Sequence, residues 1–217
     1  MQNRPKTLTV VIGTSTEIGK TYVSSSLAKE LRDCGIKVSA RKLAQSFSPF
    51  ESSLKDSEVL AQGTGEKPDE VCLKHRNYEV ALAPPLAASF LGKDPFTVHD
   101  LVEECTFPPS AMYGIIETAG GVRSPQAMDG DCCSLILEFR PDTILLVANA
   151  ELGVISATLT SIDSLKICGI NTDHLIVYIN RYDRENLVHL VSKEYLEDVS
   201  KLNIAVSIKE LAHKVLT

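Results

Sequence analysis

The stretch GTSTEIGKT, at positions 13–21, lies between an apolar run and a helical pattern. The preceding run, TLTVVI, is rich in β-branched residues and predicts a strand. After the stretch, Val23, Leu27 and Leu31 recur at helical spacing. A glycine-containing loop in this position lets backbone N–H groups converge on an anion at the positive end of the helix. The segment therefore predicts a strand–loop–helix unit that binds phosphate.

The loop is a variant of the phosphate-loop (P-loop) pattern G-x-x-x-x-G-K-[ST]. Gly19, Lys20 and Thr21 supply the second half of the pattern. Five residues rather than four separate Gly13 from Gly19, so Thr14 stands where the first glycine is expected. In this pattern the lysine reaches the terminal phosphates and the hydroxyl binds Mg²⁺. We therefore predict these roles for Lys20 and Thr21.

Strand-like and helical patterns alternate along the chain, which predicts an α/β fold. We expect strands near 8–12, 38–43, 113–116, 143–148 and 175–179, and helices near 20–34, 54–62, 150–166 and 185–202. The run TILLVANA is mostly apolar, as in strands covered on both faces. The prediction is a doubly wound, mostly parallel sheet with helices on both faces, of the P-loop NTPase-like class. The proline-containing stretch 63–109 is expected to pack beside the sheet, so that residues 1–217 form a single domain.

Composition and charge exclude several classes of protein. The formal net charge of -6 argues against general nucleic-acid binding, which needs a basic face. No apolar run approaches the roughly 20 residues that cross a bilayer, and MQNRPKTL lacks the apolar core of a signal peptide. We therefore expect a cytoplasmic protein that binds neither nucleic acid nor membrane. The six cysteines lack C-x-x-C spacing, so we expect free, mostly buried thiols.

Charged side chains stand at or near the ends of two predicted strands. Glu117 ends the strand YGII and precedes a turn of small residues, where open parallel sheets bind ligands. It is a candidate Mg²⁺ ligand together with Thr21, or else it caps a loop. Lys42 ends the second strand and either faces the same site or is a solvated charge. Asp56 lies near a helix start and could simply cap that helix.

Together these features resemble the dethiobiotin synthetase family. The resemblance rests on the loop at 13–21, Lys42, Asp56, ETAGGVRSP (117–125), ELGVIS (151–156) and VYINR (177–181), and it covers nearly the whole chain. The family loop has the same five-residue spacing after its first glycine. The resemblance implies a homodimeric enzyme that uses MgATP. Its substrates would be 7,8-diaminononanoate and CO₂, joined as a carbamate, phosphorylated and closed into a cyclic urea.

The resemblance also implies a role for each matching residue. Lys20 and Lys42 would be catalytic, and Thr21, Asp56 and Glu117 would bind Mg²⁺. The implied nucleotide-binding residues are Gly13, Thr16, Glu17, Ile18, Gly19, Lys20, Thr21, Tyr22, Glu117 and Asn180, the last of them on the base. The implied substrate-binding residues are Thr16, Ser46, Gly153, Val154, Ile155 and Ser156. Among these, the backbone at 153–155 would receive the substrate carboxylate, and Ser156 would come from the partner subunit.

Three features depart from the family pattern. Ser15 stands where the family loop commonly has an acid, and Thr118 stands where a glycine commonly follows the strand-end glutamate. No proline or glycine occurs after Gly169, so the usual loop that cradles adenine is missing. The sequence therefore leaves open whether ATP, GTP or CTP is used.

Two other functions compete with the synthetase interpretation. The first is a regulatory or partitioning-type P-loop ATPase, although Thr14 and Ser15 do not supply the early lysine often found in such proteins. The second is a relative that has lost synthetase activity, although the presence of Lys42, Asp56 and Glu117 argues against decay. A dinucleotide-binding oxidoreductase is disfavoured because no G-x-G-x-x-G follows the first strand.

Overall fold

A parallel sheet of six strands forms the centre of the computed structural model, which describes residues 3–50 and 52–217. Met1, Gln2 and Glu51, which belong to the predicted domain 1–217, lie outside the described residues. The strands are β1 (Thr7–Gly13), β2 (Val38–Lys42), β3 (Gln45–Ser46), β4 (Asn77–Tyr78), β5 (Tyr113–Glu117), β6 (Pro125–Ala127), β7 (Gly130–Asp131), β8 (Thr143–Asn149), β9 (Leu175–Asn180) and β10 (Asn203–Ala205). The central sheet has the order β10-β9-β8-β1-β5-β2, and every neighbouring pair in it is parallel. β3 pairs with β4 in parallel, and β6 pairs with β7 in an antiparallel hairpin.

Helices connect the strands of the sheet. They are α1 (Lys20–Asp33), α2 (Asp56–Thr64), α3 (Pro68–Val71), α4 (Pro84–Phe90), α5 (Val98–Glu104), α6 (Cys132–Phe139), α7 (Val154–Ile167), α8 (Leu187–Glu194) and α9 (Ile208–Lys214). A 3₁₀ turn covers Lys74–Arg76, and a π-helical turn, Tyr195–Val199, follows α8. Within the described residues, no helix has both the length and the apolar composition needed to cross a membrane.

Apolar clusters cover both faces of the sheet. On one face, Val11 of β1 packs in a cluster with Val23 and Leu27 of α1. On the other face, Val10 belongs to a cluster that includes Leu135 of α6. Successive side chains of a strand point to opposite faces, so a strand with apolar residues throughout is buried on both sides. The prediction of a mostly parallel α/β sheet with helices on both faces is confirmed.

The predicted strands of the sheet lie within about one residue of the observed ones, whereas several helices differ in extent. The helix expected at 150–166 begins at Val154, because the backbone N–H of Ala150 donates to Asn180 O and a turn closed by Gly153 follows. The helix expected at 185–202 changes to π-helical geometry after Glu194. The short elements α6, β10 and α9 were not predicted.

Candidate active site

The P-loop connects β1 to α1 in a conformation that needs glycine at both ends. A Cβ atom on Gly13 would lie 2.7 Å from Ile18 Cδ1 and 2.9 Å from Ser15 O, closer than real contacts allow. Gly19 has φ 89°, and a side chain there would collide with the Asn180 amide. Glu17 also has a positive φ of 56°. Left-handed residues of this kind turn backbone N–H groups inward and make an anion-binding concavity.

The first turn of α1 continues this anion site. Gly19 is the N-cap residue, and the turn contains no acidic side chain that would neutralise the helix N-terminus. Lys20 Nζ donates to Ser15 O at 3.1 Å, so its ammonium lies over the loop. Burial, followed by the positive charge of Lys42, lowers the pKa of Lys20 to about 8. A phosphate bound by the loop backbone would therefore also contact the ammonium of Lys20.

Strand register brings Lys42 and Glu117 together. They are partners in the β2–β5 ladder, each the last residue of its strand. Lys42 Nζ lies 2.8 Å from Glu117 Oε1 and 2.7 Å from Asp56 Oδ2. Asp56 is the first residue of α2. Burial acts to lower the pKa of Lys42, but the two carboxylates outweigh it and raise that pKa above its ordinary value. Burial likewise acts to raise the pKa of Asp56, but Lys42 outweighs it and holds that pKa low. Lys42 and Asp56 are therefore both charged at neutral pH.

Thr21 completes a set of oxygen ligands at the same place. Its Oγ1 lies 2.8 Å from both Asp56 Oδ1 and Glu117 Oε1. The second oxygen of Glu117, Oε2, is buried and has no hydrogen-bond partner. In the described part of the chain, no cluster of three or more His, Cys, Asp or Glu residues could hold a metal alone. Mg²⁺ commonly takes only one or two carboxylates and completes its shell with phosphate oxygens and water, so Thr21, Asp56 and Glu117 fit Mg²⁺.

These groups open into a cavity of about 630 Å³. Eight of the residues predicted for the site line it: Thr16, Glu17, Gly19, Lys20, Thr21, Lys42, Ser46 and Asp56. Ser46 Oγ donates to Leu82 O, which joins β3 to the segment before α4. The cavity therefore brings the predicted catalytic lysines together with the predicted substrate residues Thr16 and Ser46.

Other predicted residues lie away from the cavity wall. Asn180 is buried behind the P-loop, where its Nδ2 donates to Ile18 O at 2.8 Å. Tyr22 is 61% exposed. Gly153, Val154, Ile155 and Ser156 form the start of α7 and do not line this chain's own cavity. Contacts of these residues with base or substrate stay predictions.

The structure also adds residues that the sequence analysis missed. Phe47, Lys55, Leu82 and Pro84 line the cavity. Gln45 lines it too, and it fixes the start of α2 by accepting the Ser57 N–H at 2.9 Å. The sequence placed 82–84 in an irregular stretch and gave no periodic signal for these side chains.

The departures at Ser15 and Thr118 are both accommodated. The side chain of Ser15 is exposed, and its carbonyl rather than its hydroxyl contacts Lys20. Thr118 is buried, and its Oγ1 donates to Val11 O at 3.0 Å. A buried hydroxyl with a partner costs little, so a threonine can replace glycine here.

Sequence comparisons identify known proteins that are similar to this chain over most of its length. A family model described as an AAA domain matches residues 7–213. A Caulobacter vibrioides protein named ATP-dependent dethiobiotin synthetase BioD is 31% identical over 171 residues, which cover 77% of this chain and 77% of that protein. Proteins of the same name from Methylobacterium nodulans and Methanocaldococcus jannaschii are 34% and 29% identical. The first match covers 71% of this chain and 73% of that protein, and the second covers 89% and 90%.

Solved structures share the fold at lower identity. A ParA family ATPase from Chlorobium tepidum TLS has a TM-score of 0.55 at 14% identity, covering 97% of this chain and 89% of that one. The MinC:MinD cell division protein complex of Aquifex aeolicus gives a TM-score of 0.55 at 16% identity, covering 91% of this chain and 79% of the matched one. Likeness at such identities shows the P-loop NTPase-like fold alone. The extent of the family-model match and the identity to the curated relatives show more: the chain belongs to the dethiobiotin synthetase family.

Proposed function

We propose that the protein is an ATP-dependent dethiobiotin synthetase. One amine of 7,8-diaminononanoate takes up CO₂ as a carbamate, and a carbamate oxygen attacks the γ-phosphorus of ATP and releases ADP. The second amine then attacks the carbonyl carbon of the mixed anhydride, which releases phosphate and closes the cyclic urea. The observation that carries this proposal is the convergence of Lys20, Lys42, Thr21 and Asp56 at the cavity, with Glu117 buried directly behind Thr21 and Lys42.

Lys20 and Lys42 would offset the negative charge that the two reactants bring together. Carbamate and triphosphate are both anionic, so negative charge accumulates where they meet. Lys20, whose ammonium lies over the P-loop, would contact the terminal phosphates. Lys42, which ends β2 and lines the same cavity, would stabilise the carbamate and the transferring phosphoryl group. Holding both reactants in one cavity supplies the proximity that a bimolecular reaction in water lacks.

Thr21, Asp56 and Glu117 would hold Mg²⁺. When bound, the ion would neutralise phosphate charge during transfer. Lys42 forms ion pairs with both Asp56 and Glu117, and this compensates their charge in a largely buried site before the metal binds. Removing the metal with a chelator is therefore expected to abolish turnover.

The substrate and the nucleotide base would contact the remaining predicted residues. Thr16 and Ser46 line the cavity and would contact the carbamate and the amines. In a homodimer, the start of α7, with Ser156, would reach the substrate of the partner subunit. Asn180 would lie near the base, with its Oδ1 left to accept a hydrogen bond because Nδ2 is committed to Ile18 O.

The test is turnover by the purified protein. It is incubated with 7,8-diaminononanoate, bicarbonate and Mg²⁺, with ATP, GTP or CTP in separate reactions, and the cyclic urea is detected by mass. We expect product with at least one nucleotide, and the ranking measures base selection in a chain without the usual adenine loop. MgATP binding without product from any nucleotide would contradict the proposal and favour a regulatory ATPase or an inactive relative.

A further inference from the structure

The turn at residues 119–124, which connects β5 to β6, forms part of the cavity wall. Ala119, Gly120 and Ser124 of this turn line the cavity. The proposed reaction assigns none of them a role. The turn nevertheless borders the groups that would react, so its shape matters to the site.

Two contacts bring the turn to residues of the proposed reaction. Lys42 Nζ donates to the carbonyl oxygen of Thr118, directly before the turn, at 3.3 Å. A Cβ atom on Gly120 would lie 3.7 Å from Thr16 Cγ2, so this glycine lies close to Thr16. A displacement of the turn would therefore change the surroundings of both Lys42 and Thr16.

The side chain of Gln126 fixes the turn. Its Oε1 accepts the N–H of Ala119 at 2.9 Å, and its Nε2 donates to Ala119 O at 2.7 Å and to Ser124 O at 3.0 Å. These partners determine which way the amide points, because one N–H needs an acceptor and two carbonyls need donors. Gln126 is 4% exposed, so loss of its amide would leave polar groups of the turn without partners. One buried side chain therefore connects the two ends of the turn.

The P-loop contacts the turn but has anchors of its own. A Cβ atom on Gly121 would lie 3.2 Å from Thr14 O, so the two loops pack together. At one end of the P-loop, the N–H of Thr14 donates to Val147 O of β8 at 3.0 Å. At the other end, Asn180 Nδ2 donates to Ile18 O at 2.8 Å. These anchors do not involve the turn, so the nucleotide site should stay in place when the turn loses its support.

We propose that Gln126 is a positioning residue, which holds the 119–124 turn in the shape that the reaction needs beside Lys42 and Thr16. The proposal rests on the proposed synthetase function and deepens it. Gln126 does not line the cavity, so it would act on the reactants through the backbone of Ala119 and Ser124. Its effect should therefore fall on the rate of the reaction rather than on the binding of MgATP.

Gln126→Leu tests this role, because it removes all three hydrogen bonds and keeps a side chain of similar size. It is expected to lower kcat about 10- to 100-fold, since a displacement of about 1 Å can cost about a hundredfold in rate. The affinity for MgATP should stay within about twofold. Product mass gives kcat and KM, and calorimetry gives the affinity. Hydrogen exchange in peptides that cover 118–124 should become faster, because the N–H of Ala119 loses its acceptor.

Gln126→Glu adds a readout that a loss of packing would not produce. A protonated carboxyl can accept the N–H of Ala119 and donate to one carbonyl, whereas an ionised carboxylate has no donor and faces two carbonyl oxygens. The kcat of this variant, relative to that of the unaltered protein at the same pH, should therefore rise as the pH is lowered. The same ratio for Gln126→Leu should not depend on pH.

Arg4 provides a control with similar bonding. Its guanidinium donates to Phe139 O at 2.6 Å and to Arg140 O at 2.9 Å, and it does not line the cavity. Arg4→Met should lower the stability in urea but leave kcat within about twofold of the unaltered protein.

Two results would overturn the proposal: a kcat of Gln126→Leu within about twofold of the unaltered protein, or unchanged hydrogen exchange at 118–124. The exchange measurement does not require turnover. If the unaltered protein makes no cyclic urea, the synthetase function fails. Faster exchange in Gln126→Leu would then still support the holding of the turn by Gln126, and unchanged exchange would refute it.

Discussion

Lys42 is the residue on which the electrostatics of the site depend most. It is 3% exposed and pairs with Asp56 and Glu117 at once, and its charge adds to the effect of burial, which lowers the pKa of Lys20. The carboxylates raise the pKa of Lys42 and Lys42 lowers the pKa of Asp56, so both of these groups stay charged. The γ-phosphate and the carbamate would then react beside a positive charge that is already in place, so the site would not have to reorganise during the reaction.

Lys42→Ala is expected to lower turnover by about 10²–10³, the usual effect of removing one preorganised stabilising group. The affinity for MgATP should change much less. Lys42 does not contact the P-loop backbone, and its loss removes the repulsion that lowers the pKa of Lys20. Turnover is measured by product mass and nucleotide affinity by calorimetry. Turnover within about twofold of the unaltered protein would remove Lys42 from the mechanism.

The P-loop is the element that would position the nucleotide, and β9 supports it from behind. Asn180, at the end of β9, donates to Ile18 O and lies against Gly19. The loop conformation therefore depends on a contact between residues 162 positions apart in the chain.

Gly19→Ala tests this contact, with Gly35→Ala as the control. Both glycines have similar positive φ values, 89° and 83°, but nothing lies within 4 Å of a side chain at Gly35. Each alanine should cost about 1–3 kcal/mol of backbone strain. Gly19→Ala should cost more and should also weaken nucleotide binding, because its methyl group displaces the Asn180 amide. Urea unfolding and nucleotide titration measure both effects, and equal losses in the two variants would contradict the role of the contact.

Elements with strong local signals could be predicted from the sequence, and elements that depend on distant contacts could not. β1, the P-loop and α1 follow from an apolar run, glycines and helical spacing. The juxtaposition of Lys42 and Glu117 follows from parallel strands that end at the same edge. By contrast, the part of the cavity wall formed by Phe47, Lys55 and Leu82 depends on how β3, α2 and α4 pack together. No periodic pattern in the sequence predicts that packing.

The same distinction applies at the end of the chain. The helical pattern continues past Glu194, but the backbone widens into a π-helical turn that buries Leu196. The short strand β10 has only three residues and extends the sheet beside β9. Its position depends on a partner strand rather than on its own sequence.

For the molecule as a whole, the six cysteines differ in burial, and their reactivity therefore tests the packing of the chain. All six are free thiols, as expected, and the buried ones are Cys72, Cys105, Cys132 and Cys133. Burial raises the pKa of Cys72 and of Cys105 to about 12 and that of Cys132 to about 11. Cys34 is exposed.

A thiol reagent at pH 8 should therefore react rapidly with Cys34 and slowly with Cys168, which is partly buried. The other four should react only after unfolding, since the reactive thiolate is both inaccessible and disfavoured by burial. The thiol count is measured with and without denaturant. Rapid reaction of all six in the folded protein would contradict this packing.

Across the whole molecule, the carboxyl ends of β1, β2 and β5 and the start of α2 meet at one cavity, and the account requires a carbamate to attack ATP there. The most direct measurement uses bicarbonate labelled with oxygen-18, with prompt mass analysis of the phosphate released during turnover. The account predicts one labelled oxygen in each phosphate, because the carbamate oxygen that attacks phosphorus leaves with it. Unlabelled phosphate would mean that water attacks ATP, as in a regulatory ATPase, and would contradict the account.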